Sequence, residues 1–241
     1  EPYRRQRQMC IRDRLQTTEN ARRRFVSDAS HELKTPLAGI RLLTDSILQT
    51  DHMDEETTKE FVTDIGREAE RLSRITENLL RLTRLDSGVV QQPPYPVAVR
   101  PVLERVERML TMVAQEKGVT VSGAADEDAV ALATDDDVHQ ILYNLMENAI
   151  KYSAAEDGFV RAEAHVDGNK VVLTVSDNGI GIPNEDLPHI FDRFYRVDKM
   201  RSREVGGTGL GLSIVKDTIE NRGGTISAGH GANGVGTVFT A

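Results

Sequence analysis

The chain has 241 residues, 39% of them hydrophobic and 28% charged, enough for two domains with separate cores. Thirty lysines and arginines against 38 aspartates and glutamates leave a net charge of −8, which excludes a global electrostatic footprint for nucleic acid. Aromatic residues are 5% of the chain with no tryptophan, which argues against a base-stacking platform. The single cysteine, Cys10, rules out an intramolecular disulfide framework and a cysteine-rich zinc site, and fits a reducing, cytoplasmic setting.

No apolar run is long enough to span a membrane. Charge is unevenly placed: residues 1–24 hold eight arginines against Glu1, Asp13 and Glu19, a local excess of +5. Such a stretch suits a solvated helix face as well as a juxtamembrane segment whose span lies outside the chain. Residues 1–14 are set apart as a basic N-terminal segment of doubtful origin. Within them Met9-Cys10-Ile11-Arg12-Asp13-Arg14 resembles a translated sequencing adaptor.

From Leu15 to Leu48 apolar residues recur at helical spacing: Val26, Ala29, Leu33, Leu37, Ile40 and Ile47. After a polar break at 49–54 a second run follows, through Phe61, Ile65, Leu72, Ile75, Leu79, Leu82 and Leu85. Each run predicts a helix of roughly thirty residues, and the short break predicts an antiparallel hairpin over residues 15–90. Two such helices cannot enclose a core alone, so a symmetric dimer making a four-helix bundle is the simplest arrangement, with packing of the stripes on the C-terminal domain as the competitor. Asp86-Ser87-Gly88 ends the second helix, and residues 91–96, with three prolines, form a linker.

Beyond it, residues 97–241 mix strands with helices. Strands are expected at Val97–Val99, Val119–Val121, Val130–Ala133 and near Val235–Thr240. Phe159–Val166 and Lys170–Ser176 should pair through a turn at Asp167-Gly168-Asn169. Helices are expected at Val102–Lys117, about Asp136–Tyr152 and Thr208–Asn221. The fold class is therefore α+β: a long helical hairpin, then an α/β sandwich whose mixed, mostly antiparallel sheet is covered by helices on one face.

Five segments carry chemistry. In Phe25–Leu37, His31 points away from the apolar stripe, about 200° around the helix from Ala29 and Leu33. A lone helical histidine of this kind is usually an ordinary surface residue. Glu32 beside it could hold one imidazole tautomer and leave the other nitrogen free to attack, and Pro36 removes the amide that would bond the Glu32 carbonyl. That proline costs the helix about 3 kcal/mol.

On the helix ending at Tyr152, Asn144 and Asn148 share one face with Lys151 a turn further. Two amides and an ammonium suit a metal–phosphate assembly, although exposed asparagines would look the same. Val175–Pro183 is a strand ending in the carboxylate of Asp177, then Gly179 and Gly181. Such a carboxylate would accept from an exocyclic amine and repel a carbonyl, which favours adenine over guanine; an ordinary strand-ending turn is the alternative.

Gly206-Gly207-Thr208-Gly209-Leu210-Gly211 opens a helix and could cradle an anion on its free amides. It is neither a P-loop nor a dinucleotide fingerprint. Between these glycine stretches Phe191, Phe194 and Tyr195 could anchor a loop. The cationic segment from Arg196 to Arg203 has the composition of a lid over phosphates, or of a solvated loop.

Together these segments resemble the sensor histidine kinases of two-component signalling. His31 with Glu32 and Pro36 resembles the H box, Asn144–Tyr152 the N box, Asp177–Gly181 the G1 box, Phe191–Tyr195 the F box and Gly207–Gly211 the G2 box, in the family's order across about residues 20–240. The resemblance implies a dimerisation and histidine-phosphotransfer hairpin followed by a Bergerat-type ATP-binding domain. His31 would be the phosphoacceptor, Glu32 its acid/base partner and Asn148 the Mg2+ ligand, with Asn144 and Lys151 near metal and phosphates. Asp177 would bind the adenine amine and Tyr152 flank the nucleotide. Gly179, Gly181, Gly207, Thr208, Gly209, Leu210 and Gly211 would shape pocket and lid, with Arg203 a phosphate contact.

Related ATPases carry a glutamate where Asn144 stands, so the chemistry favours transfer to His31 over hydrolysis. Thr35 matches the position linked to dephosphorylation of a response regulator. The implied partners are a second copy of the chain and a receiver domain, with membrane attachment only through a parent segment. A stand-alone ATPase and a non-catalytic dimeric scaffold are the alternatives.

Overall fold

The computed structural model describes residues 2–50, 52–86, 92–154, 156–197, 207–231 and 234–241, with side chains at Glu19 and from Arg23 onward. It divides into two compact units, Glu1–Leu80 and Arg81–Ala241.

The first unit is a helical hairpin of α1 (Pro2–Gln49) and most of α2 (Glu55–Asp86). Helix α1 is 48 residues rather than about thirty, because the arginine- and glutamine-rich residues ahead of Leu15 favour helix and continue it. It also runs unbroken through Pro36, whose ring is buried.

Asp54 starts α2, its carboxylate accepting from the Thr57 amide (2.8 Å) and hydroxyl (2.7 Å). These bonds hold the Asp54 carboxyl below its ordinary pKa. The helices run antiparallel, since Glu32 meets Arg71 while Gly39, further along α1, faces Glu68, earlier on α2. Ala29 and Ile75 are buried, while Val26, Leu37, Leu42 and Val62 are largely exposed. Among the described residues, no helix is long and apolar enough to cross a membrane.

In the second unit the order is β1 (Tyr95–Ala98), α3 (Val99–Glu116), β2 (Val119–Ala125), β3 (Val130–Ala133), α4 (Asp135–Lys151), β4 (Gly158–Asp167), β5 (Lys170–Asp177), α5 (Gly211–Asn221), β6 (Ser227–His230) and β7 (Thr237–Thr240). The main sheet has the order β2-β4-β5-β7-β6, and β1 pairs with β3 in a small antiparallel sheet. Strands β2 and β4 are parallel because α4 crosses between them; the remaining pairs are antiparallel.

Along β4, Gly158, Val160, Ala162 and Ala164 are buried while Phe159, Arg161, Glu163 and His165 are exposed. One face of the sheet is therefore covered. The core beneath the helices joins Val106 and Leu110 of α3, Leu142, Leu145, Met146 and Ile150 of α4, and Val160, Val175 and Phe239 of the sheet.

Several boundaries differ from the sequence reading. Strand β1 begins at Tyr95, inside the expected linker. Helix α3 begins at Val99 rather than Val102, because Pro101 falls in its first turn, where the missing N–H has no partner to lose. Strand β6 was not anticipated: Ser-Ala-Gly-His lacks the branched or aromatic residues that mark strands, and it lies on the sheet edge. Helix α5 starts at Gly211, not Thr208, since Gly209 has a φ of +71° that no right-handed helix accommodates.

Candidate active site

On the hairpin, His31 is exposed on α1, as its spacing predicts. Thr35, one turn on and also exposed, donates its hydroxyl to the His31 carbonyl at 3.3 Å. The carboxylate of Glu32, the next residue, has Oε2 3.6 Å from Arg71 Nη2 across the hairpin.

The second unit assembles the other residues. Thr134 and Asp137 form a reciprocal capping box at the start of α4, and the buried Asp137 carboxylate also accepts from Arg222, after α5, at 2.9 and 2.7 Å. This fixes α4 against α5 at one end. Further along, Asn144 is buried facing Gly211, the first residue of α5, and a Cβ there would lie 3.3 Å from Asn144 Oδ1. The Asn144 Nδ2 is buried without a hydrogen-bond partner among the described residues. Asn148 is half-buried one turn on, and Lys151 pairs with Glu147 at 3.1 Å.

Asp177 closes β5 and is buried. Its Oδ1 accepts the amides of Gly179 (2.8 Å) and Thr237 (3.2 Å), which leaves Oδ2 for a ligand donor. Burial pushes its carboxyl above the ordinary aspartate pKa, with the two amides opposing.

Gly179 is required for close approach: a Cβ would come within 1.9 Å of the Tyr152 carbonyl, which accepts from the Ile180 amide at 3.1 Å. Gly181, at φ +70°, passes close to the Gly236 carbonyl. Burial raises the pKa of the Tyr152 hydroxyl, against the Arg196 charge. That hydroxyl lies 3.6 Å from where a Gly207 Cβ would sit, so the tyrosine and the glycine stretch border one space.

The two halves of the lid's base meet through backbone. The Phe194 amide donates to the Gly209 carbonyl at 2.9 Å, and Phe194 itself has a φ of +62°. Leu210 is buried, with its amide donated to the Thr208 hydroxyl at 3.3 Å. Phe191 meets Phe239 edge-on, the ring centroids 6.4 Å apart, and the Tyr195 hydroxyl is held by Asp186. Arg203 lies outside the described residues.

Three contributors escaped the sequence reading. Thr237 supplies the second amide to Asp177. Asn178 is a brace rather than a ligand group, accepting from the Phe159 amide (2.8 Å) and donating to the Asp157 carbonyl (2.9 Å). Gly236, at φ +72°, brings the final strand onto β5, where a Cβ would lie 1.9 Å from the Asp177 carbonyl. The Gly-Val-Gly pattern at 234–236 was its only signal. Gly236→Ala is expected to lower stability by roughly 3 kcal/mol and weaken nucleotide binding with it, read by thermal melting with and without nucleotide.

These observations fit a nucleoside triphosphate. An orphaned amide on Asn144 and a side-chain-free wall at Gly211 suit phosphate oxygens, while Asp177 Oδ2 suits an exocyclic amine. Among the described residues no cluster of His, Cys, Asp or Glu could hold a metal by itself.

Comparison with known proteins gives the same picture for both units. The profile of the His Kinase A (phospho-acceptor) domain matches residues 21–88, and that of the Histidine kinase-, DNA gyrase B-, and HSP90-like ATPase matches residues 133–241. The sensor histidine kinase WalK of Bacillus subtilis is 34% identical over 224 residues, which is 92% of this chain but 36% of that protein.

Among solved structures, the Acinetobacter baumannii histidine kinase AdeS superposes with a TM-score of 0.69 at 24% identity, over 87% of this chain and 95% of its own. Full-length ShkA in complex with AMPPNP superposes with a TM-score of 0.65 at 29% identity, over 88% of this chain and 43% of its own.

Proposed function

Because the chain belongs to the sensor histidine kinases, we propose that it phosphorylates its own His31 from ATP and passes the phosphoryl group to an aspartate of a response regulator. In this reading the lone pair of one His31 ring nitrogen attacks the γ-phosphorus, the bond to the β–γ bridging oxygen breaks, and ADP leaves with that electron pair. Glu32 takes the proton from the other ring nitrogen. Asp177 selects the adenine amine. Tyr152 and Gly179 shape the base pocket with Gly181. Asn144, Lys151 and the turn from Gly207 through Thr208, Gly209 and Leu210 to Gly211 hold the phosphates, with Arg203 reaching them from the lid.

Asn148 would hold Mg2+, which supplies neutralisation of phosphate charge when bound. Transfer of this kind needs little beyond alignment and charge compensation. Thr35 would orient the water that removes phosphate from the partner's aspartate. The incompletely covered stripes of the hairpin support a homodimer, and attachment to a membrane would come through other parts of the parent protein.

The observation that carries this reading is the coexistence of an exposed His31 with a buried Asn144 amide beside Gly211 that lacks a partner among the described residues. Incubation with magnesium and γ-labelled ATP should yield acid-labile, alkali-stable label on His31. Steady phosphate release without labelled protein would favour an ATPase, and nucleotide binding with neither outcome would favour a scaffold. Asn148→Ala is expected to cut magnesium-dependent labelling roughly 100-fold. Retention of the wild-type rate at millimolar magnesium would remove Asn148 from the metal site.

A further inference from the structure

Inside the hairpin, Arg71 and Glu68 of α2 meet Glu32 of α1, the residue after the phosphoacceptor, in a loosely assembled triad of charges. The Arg71 side chain is only 11% exposed and stands between two carboxylates, Nη2 3.6 Å from Glu32 Oε2 and Nη1 3.9 Å from Glu68 Oε2. Neither separation is a hydrogen bond. Arg71 Nε, Glu32 Oε2 and Glu68 Oε2 are all buried without a hydrogen-bond partner among the described residues. A single guanidinium thus serves two acids, one on each helix, and satisfies neither.

Burying charged groups without hydrogen bonds is unfavourable, so closure on one acid or the other would relieve part of that penalty. A shift of under an ångström toward Glu32 makes a charge-assisted bond across the hairpin. The same shift toward Glu68 makes an i,i+3 bond within α2 and releases Glu32. These two arrangements differ in chemistry. A carboxylate bonded to a guanidinium is a poor proton acceptor, and a released one is better.

We propose that Arg71 is a positioning residue that divides its charge between Glu32 and Glu68. Its closure on Glu68 leaves the Glu32 carboxylate free to take the His31 proton. The inference rests on the reading of Glu32 as the proton acceptor. Glu68 is then the competitor that keeps Arg71 from capturing the base, although it touches neither histidine nor nucleotide.

The test is Glu68→Gln in the full chain. With the competitor's charge gone, Arg71 closes on Glu32, and autophosphorylation at saturating ATP falls about tenfold, part of the 10²–10⁴ that a general base contributes. The KM for ATP stays unchanged. Glu68→Asp, which keeps the charge, restores the rate; this variant also decides the matter if Glu68→Gln melts early.

In a Glu32→Gln background, Glu68→Gln has no further effect. A wild-type rate in Glu68→Gln, or the same loss in both backgrounds, overturns the proposal while leaving Glu32 as base. If Glu32→Gln alone labels at the wild-type rate, the acid–base reading itself fails and takes the positioning role with it.

Discussion

Replacing His31 by glutamine should abolish labelling from γ-labelled ATP, a loss of at least about 10³-fold, while nucleotide affinity stays within about twofold of wild type. The glutamine amide is similar in bulk and helix propensity but has no basic nitrogen to attack phosphorus. The proposed nucleotide contacts all lie within Arg81–Ala241, which has its own buried core, so they should not require the imidazole. Phosphoamino-acid analysis reads the first quantity and titration with a fluorescent ATP analogue the second. Acid-labile label persisting in His31→Gln would show that phosphate goes elsewhere.

The second large effect is expected at Asp177. Asparagine keeps an oxygen that can accept the Gly179 and Thr237 amides, so the fold survives, but it turns the remaining acceptor into a donor. Two donors then face each other across the purine edge, and ATP affinity should fall about 100-fold, roughly 2–3 kcal/mol, with relative preference moving toward a base that carries a carbonyl there.

The wild-type carboxyl also predicts a pH dependence. Its pKa is raised by burial above the ordinary 3.8. Acidification therefore protonates it and weakens ATP binding at a higher pH than an exposed aspartate would. Stability responds in the opposite sense: the contribution of this group is fully present below the unfolded-state pKa and is lost as pH rises through the raised value. Affinity and melting temperature, measured together across the acid range, should move in opposite directions for this residue. A nucleotide affinity indifferent to pH there would separate Asp177 from the base.

Much of this arrangement is legible in the sequence because local rules govern it. The 3.6-residue stripes find both hairpin helices, the alternation in Phe159–Val166 finds β4, and His31, Asn144, Asn148 and Asp177 lie in short local sequence patterns. What escapes is decided by partners distant in sequence. Nothing local says that Glu32 pairs with Arg71, since register between two helices is set by packing along their whole length. The role of Gly236 depends on β7 lying on β5, and the left-handed Phe194 is paired through its amide with the distant Gly209 carbonyl. The parallel pairing of β2 with β4 is likewise fixed by the crossover helix.

The amide that Thr237 lends to Asp177 has a temporal implication. Sixty residues separate the two, and they join only when the closing strand is laid against its neighbour. Pairings this remote form late in folding. A ribosome-tethered fragment truncated before this strand would hold Asp177, Asn144 and Asn148, yet present a carboxylate still half-organised. Capture of adenine nucleotide by the nascent polypeptide would then serve as a clock for the arrival of β7.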